Sequence, residues 1–354
     1  MPSSLCRRVR LFLIAAGVLG GFVGCGNFQD VTTVVDLRVL DISADPPEIL
    51  VDPTMLNGPP FQTKLTALIG DPAGGERAIT VDALACPRTI DAVTAATGKN
   101  GFVCKPFDPQ STDADASVAV TALPPDSPTA VRTSDGDATL DLPFTFPNDL
   151  LLRGYKLDPY AQVGFQMPIA FQLTVGAGQE SEIAIKRVIF SVPPSDHPDQ
   201  PANANPQVTG LQGYFTIDSN GNAVDPRPIL LDQPVPVALG STLWLEPQGA
   251  DTQAETYFAR ELTRDANPQV VVSQFKETLR YAFYATAGTF APPSTNTVPP
   301  VLRTQPQRIH LESKYQAPQV MPADPLVTYW IIVRDERGGS SWIKGHFQLL
   351  PAAP

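Results

Sequence analysis

Apolar and polar residues alternate along much of this 354-residue chain. In the segment starting at Phe61, Leu65, Ala67 and Ile69 take turns with Lys64, Thr66 and Leu68. A two-residue period puts one set on each face of a strand. The same rhythm places Ile169, Phe171, Leu173 and Val175 against Ala170, Gln172 and Thr174. After Gly176-Ala177-Gly178, a second run through Ile183, Ile185, Val188 and Phe190 completes a hairpin. Val31 to Ile42 is rich in β-branched residues and stops at Asp45-Pro46-Pro47, which predicts a first strand. Another is predicted to end on Cys86.

The second half uses the same devices. Asn220-Gly221 is a tight-turn signal, and short strands are expected on either side of Gly240. Leu279, Tyr281 and Phe283 alternate with Arg280, Ala282 and Tyr284. A last pair of strands meets at a turn from Asp335 to Gly339. Proline, at 38 residues, is about twice its usual share of roughly 5%, which disfavours long helices and suits short strands joined by turns. The chain is therefore expected to be all-β, with two β-sandwich domains in tandem, spanning 31–192 and 207–354. Between them 193–206 carries five prolines and no large apolar residue, the composition of a linker. From 87 to 160 the pattern loosens into a long irregular insertion, with one short helix expected near Asn148 to Leu152.

The ending Val327-x-x-Trp330-x-x-Val333-Arg334-Asp335-x-x-Gly338-Gly339 resembles the final hairpin of bacterial immunoglobulin-like and PKD-like domains. The preceding stretch from Tyr281 to Phe290 is similar to their central aromatic strand, with Phe283 or Tyr284 standing where tryptophan is common. The beginning of the first domain, from Asp36 to Ile49, is similar to uncharacterised two-domain lipoproteins of Gram-negative bacteria. These resemblances imply an immunoglobulin-like fold and no activity, since that fold hosts many functions.

The N-terminus departs from the strand idiom. Arg7, Arg8 and Arg10 precede Leu11 to Gly24, which carry no charge. As a helix that run would measure about 21 Å, short of a hydrocarbon core of about 30 Å. A positive segment, a short apolar run and small residues at its end form the grammar of a secretion signal over residues 1–24. Phe22-Val23-Gly24-Cys25 resembles the lipobox of bacterial lipoproteins, although Phe22 departs from the usual leucine. The resemblance implies cleavage before Cys25, a diacylglyceryl group on its thiol, and a short tether over 25–30. Gly26 at the next position, rather than aspartate, implies the outer membrane by the enteric sorting rule.

Charge and cysteine usage follow from that reading. Removing residues 1–24 takes three of the 25 basic residues and no acid, leaving 22 against 36 and a net charge near −14. Such a chain is repelled by phosphates, which excludes nucleic acid as a partner. The expected contacts are the membrane, through the lipid, and an envelope protein or glycan. Cys86 and Cys104 remain as a pair in an exported chain and are expected to form a disulfide, with about 3 kcal/mol of loop-closure stabilisation. The rival, a metal or redox pair, lacks both a CxxC spacing and a nearby histidine.

Candidate chemistry is thin. Ser273 to Lys276 and Ser341 to Lys344 match SxxK, which works when a helical turn sets the amine beside the hydroxyl. Both lie in strand-like sequence, where residues three apart face opposite ways. His197, His310 and His346 fall in separate segments without a zinc motif. Asp135, Asp137 and Asp141, and Asp218, Asn220 and Asp225, offer hard oxygen ligands of the kind calcium takes, but neither set fits an EF-hand and turns use the same residues. No cofactor is implied. The expected function is a non-catalytic, lipid-anchored envelope protein presenting β-sandwiches for binding, adhesion or envelope assembly. The alternative is a glycan-binding protein or hydrolase whose site converges only on folding.

Overall fold

The computed structural model describes residues 30–52, 54, 61–72, 77–86, 131–132, 137–146, 151, 155–156, 158–219, 221–263, 269–297 and 310–352. The first sandwich is built from β1 (Arg38–Asp45), β2 (Glu48–Leu50), β3 (Phe61–Gly70), β4 (Thr80–Cys86), β5 (Val131–Arg132), β6 (Asp137–Phe146), β7 (Phe165–Ala177) and β8 (Glu180–Val192). Its sheets run β1-β3-β6-β5 and β2-β8-β7-β4. The alternation seen in the sequence delivers Leu65, Ala67 and Ile69 from one sheet against Phe171, Leu173 and Val175 from the other. Those side chains are fully buried or nearly so, which makes them the core that the period-two pattern implies.

The second sandwich comprises β9 (Gly210–Tyr214), β10 (Thr216–Ile217), β11 (Ala223–Val224), β12 (Arg227–Pro228), β13 (Val235–Ala238), β14 (Thr242–Gln248), β15 (Thr256–Leu262), β16 (Val270–Lys276), β17 (Arg280–Ala285), β18 (Thr289–Ala291), β19 (Ser294–Asn296), β20 (Ser313–Gln316), β21 (Leu326–Arg334) and β22 (Ser340–Leu350). Sheets β12-β9-β14-β20-β18 and β13-β22-β21-β17-β19 face each other across Tyr281, Phe283, Tyr315, Tyr329 and Phe347. The all-β tandem expected from the sequence is the architecture present, and the last hairpin, β21 with β22, turns at Asp335–Gly339 as predicted.

Three local features differ from expectation. Val31 to Ile42 is not one strand: β1 begins at Arg38, and Thr32 to Val34 before it bond to the other sandwich. Val34 N–H donates to Ala285 O (2.8 Å), Ala285 N–H to Thr32 O (2.9 Å), and Thr33 Oγ1 to Gly288 O (2.7 Å). This strap occupies the edge of β17 that β19 leaves open, since β19 pairs only with Arg280, Tyr281 and Ala282. Second, β6 pairs with β3 along ten residues, so part of the 87–160 stretch is a central strand. Its apolar residues do alternate (Ala138, Leu140, Leu142, Phe144, Phe146), but Asp135-Gly136-Asp137 before it and Pro143 within it make the stretch read as turns. Leu151, Tyr155 and Lys156 are helical, near the predicted short helix. Third, 193–206 connects the sandwiches but is pinned: Asn203 is buried and Asn205 Nδ2 donates to Ala44 O (2.7 Å).

A bulge in β1 decides how the two sandwiches meet. Val39 pairs with Ile69 and Asp41 with Leu68, leaving Leu40 as the extra residue. A bulge re-aims side chains, and here Leu40 leaves the first core. It joins Val34, Leu68, Trp330 and Ile332 in a small apolar cluster between the sandwiches. That cluster explains why β21 is buried from Val327 to Val333 on both faces. Gly70 belongs here because a Cβ on it would meet Val34 Cγ1 at 2.8 Å. Trp330 is its largest member and has no exposed surface. Trp330→Ala is expected to cost about 3–5 kcal/mol in urea unfolding; a change within experimental error would mean the cluster does not hold the strap and sandwiches together.

Candidate functional site

The turn Asp335-Glu336-Arg337-Gly338-Gly339 shapes the most elaborate polar site among the described residues. Asp335 Oδ1 accepts from the Arg337 and Gly339 amides (2.8 and 2.7 Å), and Oδ2 accepts from Asn203 Nδ2 (3.1 Å). Gly338 has φ +95°, and a Cβ there would lie 3.0 Å from Arg187 O. The turn thus presses against β8 of the first sandwich with Arg337 driven inward.

Arg337 ion-pairs with Glu48, and both side chains are almost completely buried. Glu48 has no spare capacity: Oε2 also accepts from Asn203 N–H (2.6 Å) and Oε1 from Ser191 Oγ (2.6 Å). The other guanidinium nitrogen reaches Glu255 Oε2 at 3.3 Å and Glu277 Oε1 at 3.5 Å. The Arg337 guanidinium also lies over the Tyr257 ring at 4.6 Å. One cation therefore serves three carboxylates. Burial pushes the Glu277 carboxyl up to about 7, and Glu255 and Asp335 are raised by burial as well.

Beside this network the second sandwich seals the free edge of β1. Leu40 O accepts from Arg334 Nη2 (2.7 Å) and Ile42 O from Ser340 Oγ (3.0 Å). Val39 N–H donates to Glu182 Oε2 (2.5 Å), a carboxyl raised by burial. An unpaired strand edge is an aggregation hazard, and here Arg334 and Ser340 of the second sandwich, with Glu182 of β8, take the place of a strand. Lys186 Nζ donates to Ser340 Oγ (2.8 Å), and burial pulls its ammonium down to about 8.

That serine–lysine contact invites a catalytic reading, which its geometry rejects. Ser340 has no exposed surface and commits its proton to Ile42 O, so no acyl group can reach the oxygen. The adjoining cleft, about 1090 Å³, is bordered by Asp41, Glu182, Ile183, Ile185, Arg187 and Glu336. Among the described residues no tryptophan or tyrosine lines it. A third tie comes from the hairpin β15–β16, which reaches back to the first sandwich. Arg260 Nη2 pairs with Asp158 (2.6 Å) and holds that carboxyl low, and Phe258 stacks on His197 at 3.6 Å.

Of the residues singled out from sequence, His197 stacks in the third tie and the other described ones do not form a site together. Cys25 and Cys104 fall outside the described residues, and Cys86 ends β4. Asp135 and Asn220 also fall outside, and Asp137 begins β6. Asp141 accepts from Thr66 Oγ1 (2.6 Å) and pairs with Lys64. Asp218 caps its own turn through Asn222, and Asp225 holds Arg227 at 2.6 Å. Among the described residues no three His, Cys, Asp or Glu side chains gather as a metal set. Ser273 Oγ donates to Glu261 (2.6 Å), and Ser341 Oγ to Pro206 O. His310 Nδ1 lies 2.7 Å from Glu312, and His346 Nδ1 lies 3.4 Å from Thr328 Oγ1. No described helix is long and apolar enough to cross a membrane.

No family model matches the sequence, and no curated protein matches it either. Among solved structures it is similar to the tandem Ig repeats of Dlar, at 8% identity over 90% of this chain and all of that one, with a TM-score of 0.22. It is also similar to the Yersinia pseudotuberculosis adhesin InvE, at 11% identity over 88% of this chain and 60% of that one, with a TM-score of 0.17. The fold is read from the chain's own sheets.

The junction predicts a pH dependence. An acid whose folded pKa is raised binds more protons folded than unfolded, so stability is full below the unfolded value and falls as pH rises towards the folded one. For Glu277 the window runs from about 4.5 to about 7. Urea midpoints are expected to drop across it and to drop less in Glu277→Gln; identical slopes would show that Glu277 does not titrate there.

Proposed function

We propose that the chain is a non-catalytic, lipid-anchored envelope protein that presents two clamped β-sandwiches as a rigid binding, adhesion or assembly element. The observation that carries this reading is how the junction employs its reactive side chains. Lys186, Glu48 and Arg337 are buried charges that a catalytic centre would draw on, and each is spent joining one sandwich to the other, while Glu277 is spent on Arg337 within the second. Buried charges committed to ion pairs and hydrogen bonds across a packed junction fix geometry rather than turn over substrate.

The anchor enters through the sequence. The run Leu11 to Gly24, the small residues before Cys25 and the export-compatible cysteines support attachment at Cys25 and an outer-membrane address. Several acyl chains at about 0.8 kcal/mol per buried CH₂ make such attachment effectively permanent. The glycan-hydrolase alternative calls for an aromatic-lined groove with facing carboxylates, and the junction cleft has carboxylates without the aromatic platform.

Metabolic labelling with radioactive palmitate tests the proposal. Wild type is expected to take up label and sediment with membranes, while Cys25→Ala takes up none. Equal labelling of the two would end the anchored reading.

A further inference from the structure

Resting on the lipid-anchored reading, the direction in which the sandwiches face can be derived from where the strap enters the fold. The strap reaches the second sandwich at one end only. Thr33 Oγ1 is bonded to Gly288 O, and Phe290 N–H donates to Thr32 Oγ1 (2.9 Å). Gly288 has φ +77°, and a Cβ there would lie 2.5 Å from Gln316 O, so the 286–288 turn and the end of β20 are in contact. Gln316 Nε2 donates to Gly240 O (2.9 Å) and Gly240 N–H to Pro318 O (3.0 Å). Leu239 N–H donates to Leu350 O and Leu349 N–H to Pro325 O, each at 2.9 Å. These bonds gather 239–241, 286–288, 317–325 and Leu350 at the end where the strap is fastened.

Covalent geometry then limits how far that end can sit from a lipid on Cys25. Five virtual bonds separate Cys25 from Asp30, and at about 3.3–3.6 Å each they span at most roughly 18 Å. The composition of the end suits the neighbourhood. Val320 is 78% exposed, Met321 36% and Leu350 43%. Across the three loops the one charge is Asp324, whose carboxylate is turned back onto the Leu326 amide (2.8 Å). A chain with a large excess of acidic residues thus offers, beside its anchor, an end with exposed apolar tips and little charge. Elsewhere that excess is repelled by anionic headgroups.

We propose that the end of the second sandwich formed by 286–288 and 317–325 rests on the bilayer, with Val320 and Met321 touching its lipid surface. The first sandwich's far end, where 193–200 meets β15–β16, then points away from the membrane. Partners are met there and along the junction cleft, and the apolar tip is kept for lipid.

Site-specific photocrosslinking tests this in the full lipidated chain, reconstituted in phosphatidylcholine vesicles that contain a labelled tracer phospholipid. Benzoylphenylalanine replaces Val320 in one sample and the exposed Asp199 in another, both positions being free of packing constraints that would endanger folding. Lipid adducts are expected to be severalfold more abundant at position 320. Equal yields, higher yield at 199, or adducts from 320 to a second copy of the chain would overturn the orientation. The mass of the N-terminal peptide separates that failure from failure of the anchor: an unmodified Cys25 would remove both, whereas an acylated Cys25 with no preference for 320 would remove the orientation alone.

Discussion

Everything about the relation between the two sandwiches depends on the pairing of Arg337 with Glu48 in a place that excludes water. Desolvating either ion costs several kcal/mol, and only a complete set of partners offsets that cost. Glu48 gains its set when three separate parts of the chain are in place. The 335–339 turn must be formed, Asn203 must deliver its amide to Glu48, and β2 must lie beside β8 so that Ser191 can reach the other carboxylate oxygen. Small changes in the angle between the sandwiches break several of these bonds together. A buried pair of this kind adds little net stability, but it makes one arrangement far better than its neighbours.

The strap and the β15–β16 hairpin gain their effect from that arrangement. Thr32 to Val34 cross from the second sandwich to β1, and β15–β16 crosses in the opposite direction to Asp158 and His197. The chain therefore ties its sandwiches at three places, and the connecting stretch 193–206 runs between ties instead of acting as a hinge. The bulge at Leu40 is what allows β1 to serve both sides. It sends Leu40 and Asp41 toward the second sandwich while Ile42 and Ala44 return to the first core. Asp41 then pairs with Arg334 at 2.8 Å. Three ties turn two modules into one body with a fixed relative orientation.

How much of this was legible in the sequence follows from the range of each interaction. Strands such as β3, β7, β8 and the β21–β22 hairpin were legible because a two-residue period and a turn residue are local signals. The double burial of β21 was half visible, since Val327 to Val333 is apolar nearly throughout, but sequence does not say what covers its outer face. β6 escaped because Asp135, Gly136 and Asp137 before it and Pro143 within it are turn formers, although its apolar residues alternate. The junction was not legible at all. Arg337 and Glu48 are 289 residues apart, Lys186 and Ser340 are 154 apart, and each looks like an ordinary turn or surface residue in its own neighbourhood. Conversely, the acidic groups that suggested calcium, Asp218 and Asp225, are engaged by residues two to four positions away, which is the ordinary work of turn formers.

The most direct test of the account is whether the two sandwiches tumble as one body. Residual dipolar couplings from amides in β3, β7 and β8 and from those in β14, β17 and β21 should fit a single alignment tensor with the relative orientation held by Arg337 and Glu48. Two tensors of different magnitude, one for each set of strands, would show sandwiches that move independently and would contradict it.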